Sequence, residues 1–186
     1  MARCWWGDSG DLYRRHHDTE WGRPVADDRR LFEKLTLEGF MSGLSWLVIL
    51  RKRDNFRAAF RDFDPEAVAR FGARDVNRLM RDEGIVRNRA KIEATINNAR
   101  RHAEIVEEFG GFPAYVWRFE PKGELEGAPP EAAAMSKDLR RRGWAFVGPT
   151  TVLSFMEAMG LVNHHVPGCA AGRECDELRR AFVRPA

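Results

Sequence analysis

The chain has no apolar run approaching the roughly 18 residues that a membrane-crossing helix needs. Its opening, Met1-Ala2-Arg3-Cys4, lacks the basic-then-apolar pattern of a secretory leader, so a cytoplasmic protein is expected. Cysteine is scarce: three in 186 residues, an odd number that does not suit a disulfide framework. No stretch alternates apolar and polar residues for long enough to build a sheet. Charge of one sign is not in large excess either, and a formal net charge of +3 permits a polyanionic partner without demanding one.

What is present is helical periodicity, which makes the expected class all-α, in a single domain over residues 1–186. Asp27 or Asp28 can cap a helix carrying Leu31, Phe32 and Leu35 that ends near Gly39. A second helix follows the Ser42-Gly43 break, with Trp46, Leu47 and Leu50 as apolar positions. Asp64-Pro65 opens a short helix, and Asp75 another that stops at Gly84. A long helix carries Ile92, Ile96, Ala99, Ala103 and Val106 up to Gly110-Gly111. Residues 121–134 read as a loop, Ser136 as the cap of a basic helix, and Thr150 or Thr151 as the cap of a last apolar helix ending at Gly160.

Cysteine and histidine cluster at the two ends. Cys4, His16 and His17 lie early, and His164, His165, Cys169 and Cys175 lie late. Neither end alone holds a clean set of four ligands. Cys4, one of His16 or His17, one of His164 or His165, and Cys169 would close a Cys2His2 site, the donor set of structural zinc. A closed site points to stapling the termini together, with metal binding coupled to folding.

On a helical wheel Glu38 falls within about 20° of Leu31, on the stripe that also carries Leu35. A carboxylate there is costly unless paired or given a task. With Trp46 beyond a small-residue break, Glu38 can line a pocket for a flat cation, which an aromatic face attracts and a carboxylate binds. Gly84-Ile85-Val86-Arg87-Asn88-Arg89 between two helices has the character of a helix-hairpin-helix turn, where backbone N–H groups meet a phosphate without reading the base. Three basic clusters, Arg51-Lys52-Arg53, Arg87 to Lys91 and Arg140-Arg141-Arg142, suit such a partner, although charge runs are more often solvated faces.

The blocks R-C-W-W, H-H-D-T-E-W-G, L-F-E-K-L-T-L-E-G, G-L-S-W, G-I-V-R-N-R-A-K-I and F-V-G-P-T-T-V-L-S-F-M-E-A-M-G-L-V-N-H-H resemble the bacterial 3-methyladenine DNA glycosylase I family. They run in family order from residue 3 to residue 169. The resemblance implies a helix-hairpin-helix glycosylase fold, with core helices over about 27–160 and a zinc-binding region from 1–20 and 160–175. It implies zinc ligands Cys4, His17, His165 and Cys169, leaving His164 and Cys175 as bystanders. It implies a base pocket of Tyr13, Glu38 and Trp46, with His16 where the family usually has tyrosine. Phe40 and Met41 replace residues usually polar in the family, near the expected DNA-facing turn.

The implied activity is hydrolysis of the N-glycosidic bond of 3-methyladenine in double-stranded alkylated DNA, with 3-methylguanine the nearest further substrate. The nucleotide is flipped out of the duplex, and an abasic site remains. Glu38 is the expected catalytic residue and Leu44 the expected wedge in the vacated stack. Gly84, Val86, Arg87 and Arg89 are the expected DNA contacts. Gly148-Pro149-Thr150-Thr151 stands where many related glycosylases carry an aspartate, so a labile substrate takes the place of a strong general base. Lys91 is the candidate amine for a rival glycosylase-lyase. The alternative from another class is a zinc-stapled binder of damaged DNA without turnover. Nothing in the sequence calls for a protein partner, and a monomer is expected.

Overall fold

The computed structural model describes residues 2–123 and 127–186. Ten α-helices carry it: α1 (Asp11–Thr19), α2 (Asp28–Met41), α3 (Trp46–Ala59), α4 (Pro65–Ala69), α5 (Ala73–Leu79), α6 (Arg89–Phe109), α7 (Phe112–Trp117), α8 (Pro130–Arg141), α9 (Pro149–Ala158) and α10 (Ala170–Ala181). Short 3-10 turns cover Trp5–Asp8 and Arg61–Phe63. Among the described residues no strand forms, and the one isolated bridge joins Ala2 to Cys169. The all-α class is therefore borne out.

Local chemistry sets many of the helix ends. The Asp27 carboxylate accepts from the Arg30 N–H and begins α2, and Asp64 accepts from Glu66 and Ala67 to begin α4. Asn88 accepts from the Lys91 N–H at the start of α6, and left-handed Gly110 ends that helix. Three expected starts shift. Asp75 sits inside the first turn of α5 and accepts from the Gly72 N–H, so Gly72 is the cap. Ser136 lies within α8, which starts at Pro130, and its hydroxyl donates to the Val147 carbonyl at 2.7 Å. Pro149 opens α9 behind Gly148, ahead of both threonines. Part of the expected 121–134 loop lies outside the described residues, and its end from Pro130 is helical. Helix α9 is not the last, because α10 follows it.

Helix α2 is the axis of the molecule. Every residue from Leu31 to Phe40 is buried, so it is enclosed on all sides instead of presenting one stripe. It packs against α3, α6, α7 and α9, while α4 lies on α6 and α8 on α9. Phe40, Phe56, Phe60 and Phe63 stack through this core with essentially no exposure. Phe40, adjoining the expected DNA-facing turn, is a core residue whose ring lies against Phe56 and Phe60. His102 is a satisfied core histidine whose Nε2–H donates to Asp28 at 2.7 Å.

Candidate functional site

Two constellations share α1, and neighbouring histidines divide between them. Successive helical residues point about 100° apart, so His16 and His17 face different ways. His16 lines a cavity of about 220 Å³ together with Trp6, Tyr13, Trp21, Lys34, Glu38, Met41, Trp46, Ser154 and Glu157. His17 faces the chain termini instead.

In the terminal cluster the donor atoms of Cys4, His17, His165 and Cys169 all lie within 4.8 Å of one another. His165 Nδ1 is 3.5 Å from Cys4 Sγ and 3.4 Å from Cys169 Sγ, and His17 Nε2 is 3.6 Å from Cys169 Sγ. Zn–S bonds near 2.3 Å and Zn–N bonds near 2.0–2.1 Å give a tetrahedral S···N edge of about 3.5–3.6 Å, so these separations suit such an ion. The outer ring nitrogens are already committed. His17 Nδ1–H donates to Asp18 at 2.7 Å, and Arg3 in turn holds that carboxylate with two N–H donors. His165 Nε2–H donates to the Trp21 carbonyl at 3.3 Å. Each imidazole therefore directs its lone pair at the cluster, the arrangement of metal-ligating histidines. Burial pushes the His165 pKa down, in favour of the neutral ring that a metal ligand needs.

Close packing supports this geometry. A Cβ on Gly172 would stand 2.6 Å from the His165 Cβ, and one on Gly7 2.9 Å from the His17 ring. Cys175 is buried on α10 with Sγ 3.7 Å from His165 Nε2, on the ring edge away from the cluster. Burial raises its thiol to about 11. His164 donates from Nδ1 to Glu157 at 2.6 Å and stays outside the cluster.

The cavity on the other side of α1 is aromatic and charged. Trp6 meets Tyr13 edge-on at 5.8 Å between ring centroids, and His16 tilts against Trp46 at 5.5 Å. Glu38 lies deep, 3% exposed, with Oε1 accepting from Lys34 Nζ at 2.7 Å. Its Oε2 and the Trp46 indole N–H are buried without a hydrogen-bond partner among the described residues. Two unsatisfied polar atoms in one aromatic cavity are what a ligand's edge would satisfy.

His16 is held by Glu20, whose carboxylate accepts the Nδ1–H at 2.8 Å and is gripped by both ends of the Arg53 guanidinium. Burial is the larger influence and brings the His16 pKa down to about 4, so the ring is neutral near pH 7. Against burial, which raises it, the His16 and Arg53 hydrogen bonds hold Glu20 below the usual carboxylate range.

The remaining predicted residues, the buried Lys91 apart, lie at or near the surface. Leu44 is 44% exposed in the turn between α2 and α3, next to Gly43 in the left-handed region at φ +80°. Gly84 to Arg89 joins α5 to α6. Lys52 donates to the Glu83 carbonyl at 2.7 Å and Asn55 to the Gly84 carbonyl at 3.3 Å, while Ile85 is buried beneath. Val86 packs partly against the core, and Arg87 and Arg89 are exposed. Lys91 lies away from the cavity, donating to the carbonyls of Phe40 at 2.9 Å and Ser42 at 2.6 Å. It ties the start of α6 to the end of α2. All three basic clusters thus contribute an internal strut: besides Lys91, Arg53 serves Glu20, and Arg142 bridges Glu108 and Asp138.

Five lining residues escaped the sequence reading altogether, Trp6, Trp21, Lys34, Ser154 and Glu157, and Met41 was expected near the DNA-facing turn and not in the cavity wall. Lys34 carried a usable signal, because it precedes Glu38 by four residues on one helix.

Comparison with known proteins bears on the chain as a whole. A family model described as methyladenine glycosylase matches residues 5–172. The chain is 44% identical over 179 residues to DNA-3-methyladenine glycosylase 1 of Escherichia coli (strain K12), covering 91% of this chain and 96% of the relative. The structure of 3-methyladenine DNA glycosylase I from Staphylococcus aureus, solved for the basis of 3-methyladenine recognition, matches with a TM-score of 0.86 at 37% identity, covering 92% of this chain and 97% of that one. A variant of a 3-methyladenine DNA glycosylase I in complex with 3-methyladenine matches with a TM-score of 0.85 at 37% identity, over 92% and 98% of the two chains.

Proposed function

The chain belongs to the methyladenine glycosylase family, and we infer from this premise that it is a DNA-3-methyladenine glycosylase acting on alkylated duplex DNA. The observation that carries the reading is the unpartnered Glu38 carboxylate oxygen inside a cavity walled by Trp6, Tyr13, His16 and Trp46. Adenine methylated at N3 is cationic while it remains on the sugar. A buried carboxylate and an aromatic face both favour that charge over a neutral base.

The reaction asks little general-base help of the protein. The C1′–N9 bond breaks, its electron pair passes to the base, and the base leaves neutral. Water adds to the sugar cation and loses a proton to solvent, leaving an abasic site. Glu38 is the catalytic residue in this reading, and Trp46, Tyr13 and His16 bind the flipped base. A neutral His16 performs the stacking of the family tyrosine without repelling a cation. Flipping costs a few kcal/mol, least for a damaged base. The exposed side chain of Leu44 suits a wedge in the vacated stack. Gly84, Val86, Arg87 and Arg89 present the α6 N-terminus and two cations to phosphate. Lys91 serves as a strut, which favours simple hydrolysis over lyase chemistry.

Cys4, His17, His165 and Cys169 would hold one zinc ion, a closed site whose chemistry is structural. A monomer working on chromosomal DNA in the cytoplasm completes the reading. The test is base release from alkylated duplex DNA, resolved by chromatography, with wild type and Glu38→Gln. Release of 3-methyladenine by wild type and its sharp loss in the folded variant is expected. Tight binding to alkylated duplex without release of any base by metal-loaded wild type would leave the non-catalytic binder in its place.

A further inference from the structure

A second cavity lies across the wall formed by His16, Lys34 and Trp46. It encloses about 330 Å³ between α1, α2, α3 and the end of α9, and Trp6, Tyr13 and Glu38 take no part in it. Four arginines line it, Arg15, Arg30, Arg53 and Arg57, against two carboxylates, Glu20 and Glu33, while Lys34 is committed to Glu38. Each lining carboxylate is already taken up by one guanidinium. Arg53 grips Glu20 with both ends, and Arg57 donates from Nε to Glu33 at 2.9 Å. Arg15 and Arg30 are exposed, and among the described residues neither side chain has an acceptor. Unbalanced positive charge therefore lines a concave site, where low-dielectric walls focus the field and concentrate an anion.

The donors also arrive from three directions: Arg15 from α1, Arg30 from α2, Arg53 and Arg57 from α3. A carboxylate offers two oxygens in one plane, which suits a single guanidinium fork. Donors from three elements suit the oxygens of phosphate, which point in several directions. We propose that this cavity is a binding site for a ligand bearing more than one phosphate group, with Arg15 and Arg30 supplying the free donors. Two adjacent phosphates of a DNA strand and a free bisphosphate share this chemistry.

The probe is propane-1,3-diyl bisphosphate, which has no base and makes no call on the base cavity. Calorimetric titration should show saturable binding, at least about tenfold tighter than that of propane-1,2,3-tricarboxylate. Arg15→Gln combined with Arg30→Gln removes no ion pair and should weaken binding by about tenfold or more. Arg140→Gln combined with Arg180→Gln removes the same charge elsewhere and should leave it unchanged. Duplex DNA then separates the two sources. If duplex displaces the bisphosphate and the Arg15/Arg30 variant lowers the salt slope of duplex binding by roughly two, the ligand is the DNA backbone. Binding untouched by duplex assigns the site to a free phosphate compound. Absence of saturable binding, equal affinity for the tricarboxylate, or the same loss in both double variants would overturn the proposal.

Discussion

The helical core and the terminal cluster are held by opposite kinds of force. The core buries Phe32, Phe40, Phe56, Phe60, Phe63, Phe112 and Phe155 at essentially zero exposure around α2, and apolar burial has no preferred direction. Among the described residues the terminal region has only Cys4, Cys169 and Ala171 as its own buried hydrophobic cluster, with Trp6 and Trp21 packed against them. That is little apolar surface for fixing two chain ends, and beside it four donor atoms converge within 4.8 Å, the set proposed above to hold a metal ion. The core should accept changes in proportion to the volume removed, whereas the cluster should fail as a unit. Helix α1 belongs to both regions, with His17 in the cluster and His16 in the cavity wall.

The largest expected effect breaks the cluster. Cys169→Ser should lose bound zinc and destabilise the protein by more than about 4 kcal/mol, because structural zinc binding is itself folding free energy. Metal content together with denaturant unfolding checks both parts. Phe60→Ala in the core should cost about 3–5 kcal/mol while zinc stays at one per chain, which separates the two regions. Glu38→Gln should slow base release about a hundredfold, roughly 2.7 kcal/mol of transition-state stabilisation, in single-turnover assays on alkylated duplex. Arg87→Ala should weaken duplex binding by about tenfold and flatten its salt dependence, as removal of one phosphate contact does. His16→Tyr should change single-turnover base release by less than about threefold, since the imidazole is already neutral and a phenol can stack in its place.

Much of this comparison was legible in the sequence, and what was hidden had physical reasons. The long helix α6 declared itself through Asn88, its apolar stripe and Gly110, all local signals. Helix α10 did not, because it buries only Ala171, Gly172 and Cys175 and owes its place to packing on the cluster. The four-donor set could be narrowed from spacing only to a choice within each histidine doublet. That choice depends on which way α1 faces, a tertiary fact. Glu38 drew attention on a helical wheel, yet the wheel misjudged α2, which is buried on every side. The cost of Glu38 is met by Lys34, one turn earlier, and the pairing was readable from the four-residue spacing. Phe40 was expected near the DNA-facing turn, which it adjoins, and only the packing of Phe56 and Phe60 against its ring shows that it serves the core.

The most direct test of the link between the two regions is to remove the metal and measure base binding. Zinc content, helicity by circular dichroism and affinity for 3-methyladenine would be followed together as chelator is added. Helix α1 carries His16 on one side and His17 on the other, so affinity should fall in step with bound zinc while most core helicity remains. Undiminished affinity in metal-depleted protein would show that the core alone builds the pocket, and would contradict the shared role of α1.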